Sequence, residues 1–299
     1  MSKHAFETIE KVFGLPQGTI PVFNHQGGSH TYCFGYDGDV LRSLSMSSCC
    51  HARAHTDYIQ GLVVKLPQLF QIGNWALSMR FSFSERATNA LLWGWSVVHD
   101  REHLTSEQIT PLYSEVENIV GESASAWNEP LFLPVVFLKL YIEHLVGFIQ
   151  RDIARNASQL EGDFGVQSAH NWVDERHAKA DAAAAASRMV DYMSDGPGRA
   201  EITSKLNTTS FNAICVVANI RWAQRYAQTL DGISTELNTV LPPTSKNKSD
   251  VQQTLQFLIN KLSATQGYVD QIKARLDFAA CYGRTWHFCP SWILLPEHD

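Results

Sequence analysis

Two hydrophobic periods alternate along this chain, and the change from one to the other divides it. Between residues 202 and 237 apolar or small side chains step by four and three: Ile202, Leu206, Thr209, Ala213, Val216, Ile220, Ala223, Ala227, Leu230, Ser234 and Leu237. The same stepping returns at Val251, Leu255, Leu258, Leu262, Thr265, Val269, Ile272, Leu276 and Ala279. A seven-residue repeat with apolar or small a and d positions predicts two helices packed along a seam. The intervening "LPPTSKNKSD" stops the first, since two prolines remove backbone donors and a polar run follows. At 1.5 Å per residue these helices would be about 54 and 45 Å long, an extended antiparallel stalk.

The first hundred residues follow the other period. "NHQGGSH", "GYDGD" and "QIGN" carry turn signals. Between them "HTYCFGY", "YIQGLVVKL", "ALSMRFSFS" and "NALLWGWSVV" read as strands. "LSMRFSFS" alternates, which places Leu77, Met79, Phe81 and Phe83 on one face of a half-buried strand. "ALLWGWSVV" is almost continuously apolar and suits a central strand. After Thr105 the helical pattern takes over, through 130–160 and the alanine-rich "NWVDERHAKADAAAAASRMVDYM". The expected fold is α+β: a mixed α/β region with a small sheet over 1–128, a predominantly helical region of long antiparallel coiled-coil-like helices over 129–282, and an irregular tail over 283–299.

Within the helical half, "LFLPVVFLKLYIEHLVGFI" (131–149) is long enough to span a bilayer. Lys139 and Glu143 near its middle would each cost roughly 2.5–3.5 kcal/mol there, and Pro134 suits a helix start. It reads as a buried helix of a soluble protein.

Composition removes some functions. The 299 residues carry 24 Lys and Arg against 30 Asp and Glu, a net charge of -6, with no basic run. Phosphate backbones are bound by clustered cations, so nucleic acid is not an expected partner. "MSKHAFETIEKVFGLPQG" lacks the apolar core of a secretory signal. Cys33, Cys49, Cys50, Cys215, Cys281 and Cys289 show no framework spacing and are expected reduced in a cytoplasmic protein.

Two histidine pairs are candidate transition-metal ligands. "SCCHARAH" sets His51 and His55 beside Cys49 and Cys50, and "HDREH" sets His99 and His103 four apart. Imidazoles at i and i+4 share a helix face and could hold zinc. Neither stretch has the ordinary ligand spacing, and "HDREH" places Asp100 where a zinc hydrolase motif has glutamate. His25 and His30 flank "QGGS", which could form a small anion nest but reads as a hairpin turn. No nucleophile motif accompanies any of these.

"ATNALLWGW" (87–95), "NEPLFLPVVFLKLYIEHLVGFIQRDIARNASQLEGDFGV" (128–166) and "LINKLSATQGYVDQIKARLDFAACY" (258–282) together resemble the cytosolic part of CorA-type divalent-cation transporters, in particular the CorA-like proteins of fungi. The second stretch looks like that group's "HPLLLP" helix, with Glu129 in place of the histidine. The resemblance implies a stalk, self-association and regulatory Mg²⁺ on acidic residues, for which Asp174 and Glu175, with His177 and Asp181, are the candidates. The departures are large. The family's two membrane helices and Gly-Met-Asn motif are missing, "IGN" at 72–74 lies in the wrong region, and the tail's apolar core "WHFCPSWILL" is too short to span a bilayer.

The expectation is therefore a non-catalytic, cytoplasmic CorA-like protein without a pore, associating with itself or with a related membrane protein and sensing Mg²⁺. Alternatives are a metal-dependent enzyme or metal-binding accessory protein using the histidine pairs, and a truncated product of a transporter gene.

Overall fold

The computed structural model describes residues 3–16, 19–23, 28–36, 58–67, 74–83, 85, 87–95, 116–119, 121, 129–163, 197–240 and 246–285. Helix α1 covers Lys3–Phe13 and α2 Thr19–Phe23; strands β1 Ser29–Tyr36, β2 Tyr58–Lys65, β3 Asn74–Ser82 and β4 Ala87–Trp95 follow. The helical half contains α3 (Phe132–Phe148), a π-helical turn (Ile149–Ala154) continuous with α4 (Arg155–Asp163), then α5 (Pro197–Val240) and α6 (Lys246–Thr285). The fold is α+β, as the two periods predict.

The chain forms two compact units, Met1–His144 with Trp222–Lys261, and Leu145–Arg221 with Leu262–Asp299. All three boundaries fall within helices, so α3, α5 and α6 each contribute to both units.

The sheet of the first unit is an antiparallel meander in the order β1-β2-β3-β4. In a sheet ordered as the chain runs, the last described strand has one described neighbour. This corrects the expectation for "ALLWGWSVV": β4 pairs only with β3 among the described residues, and Leu91 and Leu92 are half-buried. The central strands are β2 and β3, where Leu62, Val64, Leu77, Met79 and Phe81 fill one face. Register places His30 opposite Val64, and Val64 opposite Leu77, so His30 belongs to that face.

The other face is covered by α2, where Phe23, Val63 and Ala76 cluster with Val22 against them. Thr19 Oγ1 and Ser78 Oγ hydrogen-bond at 2.7 Å, and Thr19 Oγ1 also donates to the Pro16 carbonyl at 2.6 Å, so both buried hydroxyls are satisfied. Lys65 is buried on this face as well, and desolvation holds its amine below the usual lysine range. Helix α1, which the sequence reading did not anticipate, ends at Gly14 in the left-handed region (φ 59°). Gly14 N donates to Lys11 O and Leu15 N to Glu10 O, the paired bonds of a Schellman stop.

The long helices bury the predicted seams. From Thr209 to Leu237 every four-three position of α5 is buried, and in α6 the same holds for Leu255, Leu258, Leu262, Val269, Ile272, Leu276 and Ala279. The polar seam residue Thr209 satisfies its hydroxyl by donating to Lys205 O at 2.8 Å. The helix 132–163 is apolar and long enough to cross a membrane by length and composition, and 67% of its most apolar window is buried inside the protein.

In the second unit, Arg275 of α6 grips Glu161 of α4. Nε donates to Oε1 at 2.6 Å and Nη2 to Oε2 at 2.5 Å, with Ser158 Oγ accepting from Nη2 at 3.3 Å. Glu161 is almost completely buried, so the bidentate bond satisfies a carboxylate that water barely reaches.

Candidate functional site

A side chain that packs off the main seam creates the one polar concavity we single out. Besides the predicted stripe, α5 has a second stepping of three and four: Asn219, Trp222, Tyr226, Thr229 and Ile233, half-buried at Thr229 and buried elsewhere. Within the first unit this stripe faces β1. Trp222 and Tyr226 stack with ring centroids 5.4 Å apart and an interplanar angle of 27°. Tyr141 of α3 meets the Trp222 ring edge-on at 5.6 Å. His30, the second residue of β1, lies 5.3 Å from Tyr226 and 6.2 Å from Trp222.

His30 is fixed by a hydrogen bond of 3.0 Å between Nε2 and Thr229 Oγ1. The Thr229 hydroxyl proton is already given to Arg225 O, at 3.0 Å along the helix. Thr229 Oγ1 therefore accepts, and the network assigns the imidazole proton to Nε2. Burial, and then the neighbouring Arg225 guanidinium, push the His30 pKa below its ordinary value. The ring is thus neutral near pH 7, with a bare lone pair at Nδ1.

Three buried polar atoms in this cluster, His30 Nδ1, Trp222 Nε1 and Tyr226 OH, have no hydrogen-bond partner among the described residues. Burial also raises the phenols of Tyr226 and Tyr141 far above their ordinary range, so both stay protonated. A cleft of about 640 Å³ opens over the cluster, lined by Gly28, Ser29, His30 and Tyr32 on one side and by Trp222, Arg225, Gln228, Thr229 and Gly232 on the other. Gly28 enters β1 with φ 77°, and a Cβ there would come within 2.7 Å of Pro67 Cγ, so only glycine fits this approach. A second concavity in this unit, about 220 Å³, is lined mainly by Ile119, Phe132, Val135 and Val136.

The cleft offers donors and aromatic walls but no catalytic pair. The Thr229 hydroxyl bonded to His30 is spent in the helix, and among the described residues no carboxylate lines the cleft to orient an imidazole base. Its chemistry suits binding.

The sequence-predicted ligands His51, His55, His99, His103, Asp174 and Glu175 all lie outside the described residues, as do His25, His177 and Asp181. Among the described residues no three His, Cys, Asp or Glu side chains gather as a metal site. Cys215 and Cys281 are not in disulfides. Of the candidate histidines, His30 alone lies among the described residues, in β1, where the strand reading of "HTYCFGY" put it. No protein-family profile, curated protein or solved structure matches the chain.

Proposed function

We propose that this chain acts by association, not catalysis: a CorA-like protein that docks on itself or on a related membrane protein and senses Mg²⁺. The resemblance of 87–95, 128–166 and 258–282 motivates the family reading, and a small sheet followed by long helices is the layout it implies. The observation that carries association is the exposure of large apolar side chains off the buried seams. Ile214 of α5 is 57% exposed and Phe257 of α6 is 63% exposed, with Tyr268 of α6 also turned outward. Large apolar groups held in water on long helices are docking material. The seams themselves are covered within the chain, so association must use these outer faces.

Mg²⁺ sensing rests on Asp174 and Glu175, whose carboxylates are the hard oxygen ligands this ion takes. Sedimentation velocity of the whole chain beside Ile214→Asp and Phe257→Asp tests the reading. Association through these faces requires that at least one substitution reduces the sedimenting mass. An unchanged mass in both variants counts against it.

A further inference from the structure

The cleft between β1 and α5 plays no part in association through the outer helix faces. Its volume of about 640 Å³ lies inside the range of roughly 300–1,000 Å³ common to small-molecule sites. Among the described residues no acidic side chain lines it, although the chain as a whole carries 30 Asp and Glu against 24 Lys and Arg. Arg225 is the one charged side chain among its described lining residues. Desolvation, and then the carboxylate of Glu236, one helical turn beyond Gly232, raise the Tyr32 phenol.

Arg225 is exposed at the rim and forms no ion pair with another described residue. A guanidinium offers a planar fork of donors matched to carboxylate or phosphate oxygens. Gln228 adds an amide on the same helix face, and Gly28 leaves its end of the cleft without a side chain. Tyr32 is exposed in the cleft, a face on which a flat ring can lie, while buried Trp222 contributes only to its wall.

We propose that this cleft binds a small organic anion, a carboxylate or phosphate carried on a planar ring, with Arg225 pairing the anion and Tyr32 flanking the ring. Binding needs no second chain and no metal, so it is independent of the association reading.

Calorimetric titration of the whole chain with phenyl phosphate, with benzoate and with benzylamine tests it, for the natural sequence and for Arg225→Gln. Because Arg225 is exposed, that variant keeps the fold, which circular dichroism verifies. The expected result is saturable binding of phenyl phosphate or benzoate, weakened by about tenfold or more in Arg225→Gln, with none for benzylamine. Whichever anion binds identifies the headgroup. His30 ring signals, assigned by their loss in His30→Gln, shift on titration if the anion sits in the cleft. Failure of both anions to bind at millimolar concentration, or equal binding by Arg225→Gln, overturns the proposal.

Discussion

His30 donates from Nε2 to Thr229 Oγ1 across 3.0 Å, tying the second residue of β1 to the C-terminal third of a 44-residue helix. The two residues stand 199 apart in sequence. One proton, on one ring nitrogen, thus joins the sheet to the helical part of its unit. Its position follows from the hydroxyl proton that Thr229 has already spent on Arg225 O.

That bond makes stability depend on pH. The folded-state pKa of His30 lies below its unfolded value of 6.5 because burial and Arg225 disfavour the imidazolium. The unfolded chain therefore binds the proton first, and the stability that neutral His30 contributes is present above about pH 6.5 and is lost as pH falls through the folded pKa. Urea unfolding midpoints should decline below pH 6.5, with a His30 share of no more than about 1.4 kcal/mol per pH unit. His30→Gln should flatten that part of the profile. An unchanged slope in His30→Gln would assign the effect to other groups.

Tyr226 carries a buried hydroxyl with no partner among the described residues. An unsatisfied buried polar group costs about 1–3 kcal/mol, and deleting it recovers part of that. Tyr226→Phe should raise the melting temperature, with a gain of about 1 kcal/mol. Trp222→Ala, which removes the stacked ring, should cost about 3–5 kcal/mol. Loss of stability in Tyr226→Phe would mean that the hydroxyl is hydrogen-bonded in solution.

The Arg275–Glu161 pair should behave as a buried charge and its keeper. Arg275→Ala leaves the enclosed Glu161 carboxylate unpaired and should cost about 2–3 kcal/mol. Arg275→Lys should recover little, because an ammonium cannot reproduce the two parallel bonds. The double variant Glu161→Leu, Arg275→Leu should be nearer the natural stability than Arg275→Ala alone. Chemical denaturation of the three variants checks the order, and equal stability of Arg275→Ala and the natural chain would contradict it.

Two glycines should respond with opposite signs. Gly28→Ala must hold a side chain at φ 77° and push it against Pro67, so it should destabilise by about 1–3 kcal/mol. Gly267 lies inside α6 with open space around its Cα, and Gly267→Ala should stabilise by about 0.5–1 kcal/mol. Thermal melts of the pair, measured together, distinguish the local backbone effects from a general tolerance of alanine.

Much of the architecture could be read from the chain because burial follows strict periods. All four described strands coincide with predicted segments, and both long seams are where the four-three stepping put them. Among the described residues β4 pairs only with β3 despite its apolar run, because such a run reports burial while strand order depends on connections. The site was harder to read. Trp222 and Tyr226 form a second stripe beside the first, and its spacing of three and four was legible at Asn219, Trp222, Tyr226, Thr229 and Ile233. Its partner was not, because His30 is a lone histidine in a strand, and pairing across 199 residues leaves no local pattern. Glu161 was similarly concealed: the sequence shows an acidic helix end, and only packing shows that Arg275 encloses it.

The most direct measurement is the molar mass of the whole chain by light scattering, at rising concentration, in Mg²⁺ and in a chelator. Association predicts a mass that is a multiple of 33.5 kDa and that changes with Mg²⁺. A mass of 33.5 kDa at every concentration, indifferent to Mg²⁺, would contradict self-association and ion sensing together.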